Sequence, residues 1–206
     1  MGGYVASTAL QWGAFTLALF SLERLVLPRL PHDAQLVFVA ATFLAASFGS
    51  RVLSPLDASR PTIASEKAAM AARARPSWMP PPFVFPVVWT TLGGLRAAAA
   101  TVVFASTNTL LCAPLLSFAL HLCCGDTWNY INNKQQRLGV AVTGVLFVLG
   151  SAIATAALYY RVSPLAGQLI TPLCVWLGVA TALVFDIWRI NGGADLFPLL
   201  PTKHTA

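Results

Sequence analysis

Residues 138–160 read LGVAVTGVLFVLGSAIATAALYY, a stretch without one charged side chain, closed off by Arg137 and Arg161. Hydrocarbon about 30 Å thick takes roughly 20 residues of helix to cross. Only a helix or a closed barrel satisfies its backbone polar groups where no water can. This stretch therefore predicts a membrane-spanning α-helix. Four others meet the same test, at 34–53, 82–104, 107–128 and 165–190. A sixth, 5–27, is interrupted by Gln11, Glu23 and Arg24. It has no basic leading segment and no small-residue cleavage site, so it reads as a retained helix and not a removable signal peptide. Either it crosses the membrane, the reading we take, or its second half lies along the interface as an amphipathic helix.

Composition agrees with these runs. Charged residues make up 10% and hydrophobic ones 57% of the 206 positions, whereas a soluble domain carries about a quarter charged. The expected class is all-α, an integral, multi-pass membrane bundle. Its expected parts are an N-terminal hydrophobic helix and linker at 1–33, a main transmembrane domain at 34–191 and a short cytoplasmic tail at 192–206. The net charge of +6 does not point to nucleic acid, because the cations are scattered between apolar runs and form no basic stripe with interleaved aromatics. Cys112, Cys123, Cys124 and Cys174 lie in apolar segments without C-x-x-C spacing, which suits buried thiols. His121 with Cys123 and Cys124 makes no zinc site.

Charge also sets the orientation. Arg51, Arg60, Lys67, Arg73, Arg75, Lys134, Arg137, Arg189 and Lys203 fall on one side, against Arg24, Arg29 and Arg161 on the other. The cation-rich side is expected to be cytoplasmic. Its long loop, 54–77, holds an Ala-rich, helix-favouring run at 64–74 that Pro76 stops.

Two blocks carry a resemblance. The first is Arg75-Pro76-Ser77-Trp78-Met79-Pro80-Pro81 with Phe85 and Val88-Trp89-Thr90. The second is Val162-Ser163-Pro164-Leu165-Ala166, then Pro172, Trp176, Ala180-Thr181, Leu183 and Trp188-Arg189-x-Asn191, with Trp128 between the blocks. In order and spacing they resemble the TspO/MBR family, the translocator and tryptophan-rich sensory proteins, from about residue 34 to 191. The resemblance implies five bundled helices, here with an extra N-terminal one, commonly a homodimer, and a pocket opening toward the long loop. It implies tetrapyrrole (porphyrin) or sterol ligands and no required cofactor, with haem or porphyrin as a bound ligand. The organelle stays open among mitochondrial outer membrane, plastid and endomembrane.

Carried over residue by residue, the implied ligand-binding set is Trp78, Pro80, Pro81, Phe85, Trp89, His121, Trp128, Trp176, Ala180 and Leu183. The tryptophans either line a pocket or only anchor and pack helices, and for Trp188 we take anchoring. Several family positions differ: Gly93 and Phe185 stand for Tyr, Gly125 and Val184 for Asn, and Asn132-Asn133 for a Phe pair. Phe185 also breaks the sterol-recognition pattern, which is weak even when intact.

His121 stands where animal members have Gln. It either hydrogen-bonds a neighbouring helix or touches a ligand, as an axial bond to haem iron at the sharpest. Arg96 lies inside a span, which marks a functional position by default. Its place about 12 Å from the non-cytoplasmic helix end lets it snorkel there, and Asp126 and Asp186, toward the cytoplasm, are poor partners. The other reading pairs Arg96 with a ligand carboxylate. No nucleophile–base pair, P-loop or dinucleotide fingerprint marks an enzyme. The expected function is a membrane receptor or carrier for a hydrophobic macrocycle. Its rivals are light-dependent porphyrin degradation through Trp89 or Trp176, and a scaffold with a vestigial pocket.

Overall fold

The computed structural model describes residues 2–56, 62 and 73–197. Most of the Ala-rich run at 64–74, and the tail beyond 197, lie outside the described residues. Six long helices follow in order: α1 Gly2–Ser21, α2 His32–Gly49, α3 Val84–Thr107, α4 Ala113–Asn129, α5 Leu138–Val162 and α6 Pro164–Ile190. Helical turns extend α1 through Arg29, α2 through Leu53 and α4 through Lys134. Five of the six rods are long and apolar enough to cross a membrane, and the N-terminal rod, Gly2–Arg29, is among them. The sixth, α4, has 17 residues, and the π-helical turn Tyr130–Lys134 lengthens it to the scale of its neighbours. The protein is a multi-pass integral membrane protein.

Neighbours pair in the order α2–α3–α6–α5–α4, and α1 lies along α4. Close approach comes from small side chains: Ala97, Ala99, Ala100, Ala119, Ala152 and Ala166 are buried, as helix contacts in lipid favour. Large apolar residues such as Val37, Phe147 and Val175 are exposed instead. A lipid-facing surface needs that arrangement, since the solvent there is itself apolar.

Two of the three polar residues that interrupt the first span, Gln11 and Glu23, have tertiary partners. Gln11 is fully buried, and its Nε2 donates to the Ser50 carbonyl at 3.0 Å and to Asp126 Oδ2 at 2.7 Å. It ties α1 to the ends of α2 and α4. Glu23 Oε2 accepts from Thr109 Oγ1 at 2.7 Å and from the backbone N–H groups of Leu110 and Leu111. Those amides precede α4 and have no helical carbonyl to bond. The helical rod continues through Arg29, which makes it long and apolar enough to cross a membrane.

Two boundaries shift from the sequence expectation. Helix α3 runs on to Thr107, and α4 begins at Ala113, not at 107. Asn108, at φ 58°, takes the left-handed cap conformation and donates its N–H to Phe104 O at 2.7 Å, ending α3. Pro114, in the first turn of α4, starts the next helix.

Candidate functional site

Between the helices, toward the loop that follows α2, lies a cavity of about 690 Å³. Helices α2, α3, α4, α5 and α6 all contribute to its wall, and Arg73–Arg75 and Met79 cover it from the loop. Of the ten residues in the expected set, Phe85, Trp89, His121, Trp128, Trp176, Ala180 and Leu183 line it. Phe85 and Trp176 meet edge to face with centroids 5.9 Å apart. Trp128 is oriented by donating Nε1 to the Ala141 carbonyl at 3.1 Å, a bond that joins α4 to α5.

Trp78, Pro80 and Pro81 are not part of the wall. Trp78 is exposed, and its indole donates to Asp186 Oδ2 at 2.8 Å. Arg189 Nη2 donates to the other oxygen of that carboxylate at 3.2 Å. A proline-rich segment cannot supply the N–H groups that would hold it to a neighbour, so side chains pin it. Trp78 thus ties the loop to α6, and Pro80 and Pro81 lie beside it in the same segment, outside the cavity wall. Trp188 behaves as an anchor, donating Nε1 to Ala194 O at 2.6 Å.

His121 is buried, and its Nδ1 lies 3.0 Å from Ser151 Oγ on α5. The Ser151 hydroxyl also lies within reach of Val148 O, 2.8 Å away. With the hydroxyl proton on Val148 O, the imidazole donates from Nδ1 and keeps its lone pair on Nε2; with that proton turned to the ring, the tautomer reverses. The interhelical bond read from the sequence is therefore present, and His121 also contributes to the cavity wall.

Arg96 differs from the sequence reading. Helix α3 continues about 16 Å beyond it at 1.5 Å per residue, and the side chain turns the other way. It is 7% exposed, and Nη2 donates to the Ser47 carbonyl, 3.2 Å away, near the C-terminal end of α2. Burial against α2 replaces the expected snorkelling, and Arg96 shares the cavity wall with Asp126, which the sequence makes a poor partner for it. Among the described wall residues, Arg51, Arg73, Arg75 and Arg96 stand against a single carboxylate, Asp126. At the mouth, burial lowers Arg73 from its ordinary guanidinium value.

Sequence reasoning missed Ser47 and Phe48, which line the cavity from α2. A Cβ on Gly93 would stand 2.2 Å from Phe48 Cζ, so the Phe48 ring fills the space that a side chain at 93 would take. The bare Gly93, where the family carries Tyr, was the available signal. The aromatic wall is supplied from α2 instead.

Comparison with known proteins agrees with this architecture. The model of the TspO/MBR family matches residues 38–189, leaving α1 outside. Protein CrtK of Rhodobacter capsulatus is 34% identical over 121 residues, 58% of this chain and 76% of that protein. The human translocator protein is 32% identical over 126 residues, 60% of this chain and 75% of its own length. The tryptophan-rich sensory protein of Cereibacter sphaeroides is 29% identical over 117 residues, covering 57% and 73%.

Proposed function

Because the chain belongs to the TspO/MBR family, we propose that it is a membrane receptor or carrier that takes a flat hydrophobic macrocycle, a tetrapyrrole ahead of a sterol, into its central cavity. The observation that carries this reading is the aromatic wall: Phe48, Phe85, Trp89, Trp128 and Trp176 around one space of about 690 Å³. Small-molecule sites run roughly 300–1,000 Å³ and are mostly apolar with a few placed polar groups. Rings stacked on or edge-to a flat ligand add about 0.5–1.5 kcal/mol per pair beyond burial. A sterol has no extended π face to exploit, and Phe185 breaks the sterol pattern, so the tetrapyrrole fits better. In the tautomer with its proton on Nδ1, His121 would offer an iron-bearing tetrapyrrole a nitrogen ligand through Nε2, though the macrocycle needs no metal to bind.

The test is a titration of the detergent-purified protein with metal-free porphyrin in the dark, following tryptophan fluorescence. Saturable quenching that a sterol displaces poorly is the expected result. Strictly linear, unsaturable quenching contradicts the reading. Repetition under illumination separates binding from breakdown: a carrier returns the porphyrin unchanged.

A further inference from the structure

We propose that the inner end of the cavity is a carboxylate subsite built on Arg96, so that the ligand is an amphiphile carrying an anionic tail as well as an apolar body. The proposal rests on the reading that the cavity holds a ligand, and adds the chemical class of that ligand's polar end.

Three observations converge on it. Arg96 is 93% buried, taken as the complement of its 7% exposure, and its Nε has no hydrogen-bond partner among the described residues. A buried guanidinium nitrogen left unpaired is costly, and a charged donor more so than a neutral one. The neighbouring Ser47, whose carbonyl takes the Nη2 bond, has a buried hydroxyl that is likewise without a partner among the described residues, as is the indole Nε1 of Trp176. All three residues line the same cavity. Arg96 therefore brings a charged donor to the cavity wall with bonding capacity unspent, and a carboxylate, with two oxygens and about four lone-pair sites, is the acceptor that suits it.

The second observation is charge. The one carboxylate of the described wall, Asp126, accepts from Gln11 at 2.7 Å, so part of its capacity is spent on α1. Arg51 and Arg96 on the wall outnumber it, and the burial of Arg96 strengthens its field. The third is position. Arg96 sits mid-membrane yet points toward the C-terminal end of α2, into the space a ligand enters and away from the lipid headgroups on the far side. An Arg serving only to snorkel would reach outward.

Binding of paired ligands differing only in charge tests this: a porphyrin with free carboxylates against its methyl ester, and a steroid carboxylate against the corresponding alcohol. The wild type should prefer the free acid by roughly tenfold or more, the scale of one charge-assisted hydrogen bond. R96M should bring the acid down to the affinity of the ester while leaving the ester unchanged, and R96K should restore part of the preference. S47A, which keeps the backbone carbonyl, should weaken the acid selectively, and it serves as the second variant if R96M fails to fold. Equal affinity for acid and neutral partner in the wild type overturns the subsite, even where both porphyrins bind and the macrocycle reading survives. If neither porphyrin binds while the steroid acid does so through Arg96, the subsite stands and the tetrapyrrole reading falls. If no acid of either pair binds in an Arg96-dependent way, the proposal is wrong.

Discussion

The side-chain amide of Asn191 is bonded on both sides to the backbone of Ala74: Oδ1 accepts the Ala74 N–H and Nδ2 donates to the Ala74 carbonyl, each at 3.0 Å. A residue just past the end of α6 thereby holds the loop that covers the cavity. Together with the Trp78–Asp186 bond it makes a two-point pin between loop and helix. Each such bond contributes about 0.5–1.5 kcal/mol net. Asn191→Ala should therefore open the loop, raising its cleavage rate in limited proteolysis by about fivefold or more, with the melting temperature of the bundle nearly unchanged. Equal cleavage rates would show that the pin is not what holds it.

Gly93 and Phe48 share one space, so they should behave as a coupled pair. Gly93→Tyr, which restores the side chain common at that family position, has to push the Phe48 ring aside. Overpacking of that kind costs about 1–3 kcal/mol. Phe48→Ala in the same chain should recover most of the loss, read by unfolding in mixed micelles. Additive effects of the two substitutions would mean the ring moves freely and does not occupy the site of the missing side chain.

Membrane class, helix number and the aromatic part of the wall were legible because each rests on local pattern: long apolar runs, or tryptophans at fixed spacing. What was not legible required knowing which way a side chain turns. Arg96 looked close to the far interface when its helix was taken to end at Phe104, yet it turns toward Ser47. Gln11 and Glu23 looked like interruptions of a span because their partners lie 39 and 115 residues away for Gln11, and 86 to 88 for Glu23. The Pro-rich segment resembled a pocket wall by motif, but a motif does not say which face of a loop is inward.

Glu23 offers a direct check on α1. Glu23→Ala leaves the Leu110 amide without its acceptor, while the Leu111 amide keeps Thr109 Oγ1 at 3.1 Å, and should destabilise the protein by about 1–3 kcal/mol. Arg24→Ala, beside it, lies over the Phe20 ring at 5.8 Å and should stay within about 0.5–1 kcal/mol, the scale of an exposed cation–π contact. Similar small effects for both would remove α1 from the folded core.

The cation distribution predicts that the loop after α2 faces the cytoplasm. In sealed vesicles of known sidedness, a single cysteine at Ser54 in a cysteine-free background should react from the cytoplasmic face, and one at Ser106 should not. The reverse pattern would invert the bundle.

The central claim is that the ligand sits in the cavity between the helices. Ala180, a small residue of its wall on α6, is the position from which to close it. In Ala180→Trp the added indole should occupy the space, and porphyrin affinity measured by fluorescence titration should fall by about tenfold or more, the equivalent of roughly 1.4 kcal/mol. The account predicts that loss with the unfolding midpoint little changed, because the new ring fills a void. Unaltered porphyrin affinity in a folded Ala180→Trp protein would contradict it and put the ligand outside the cavity.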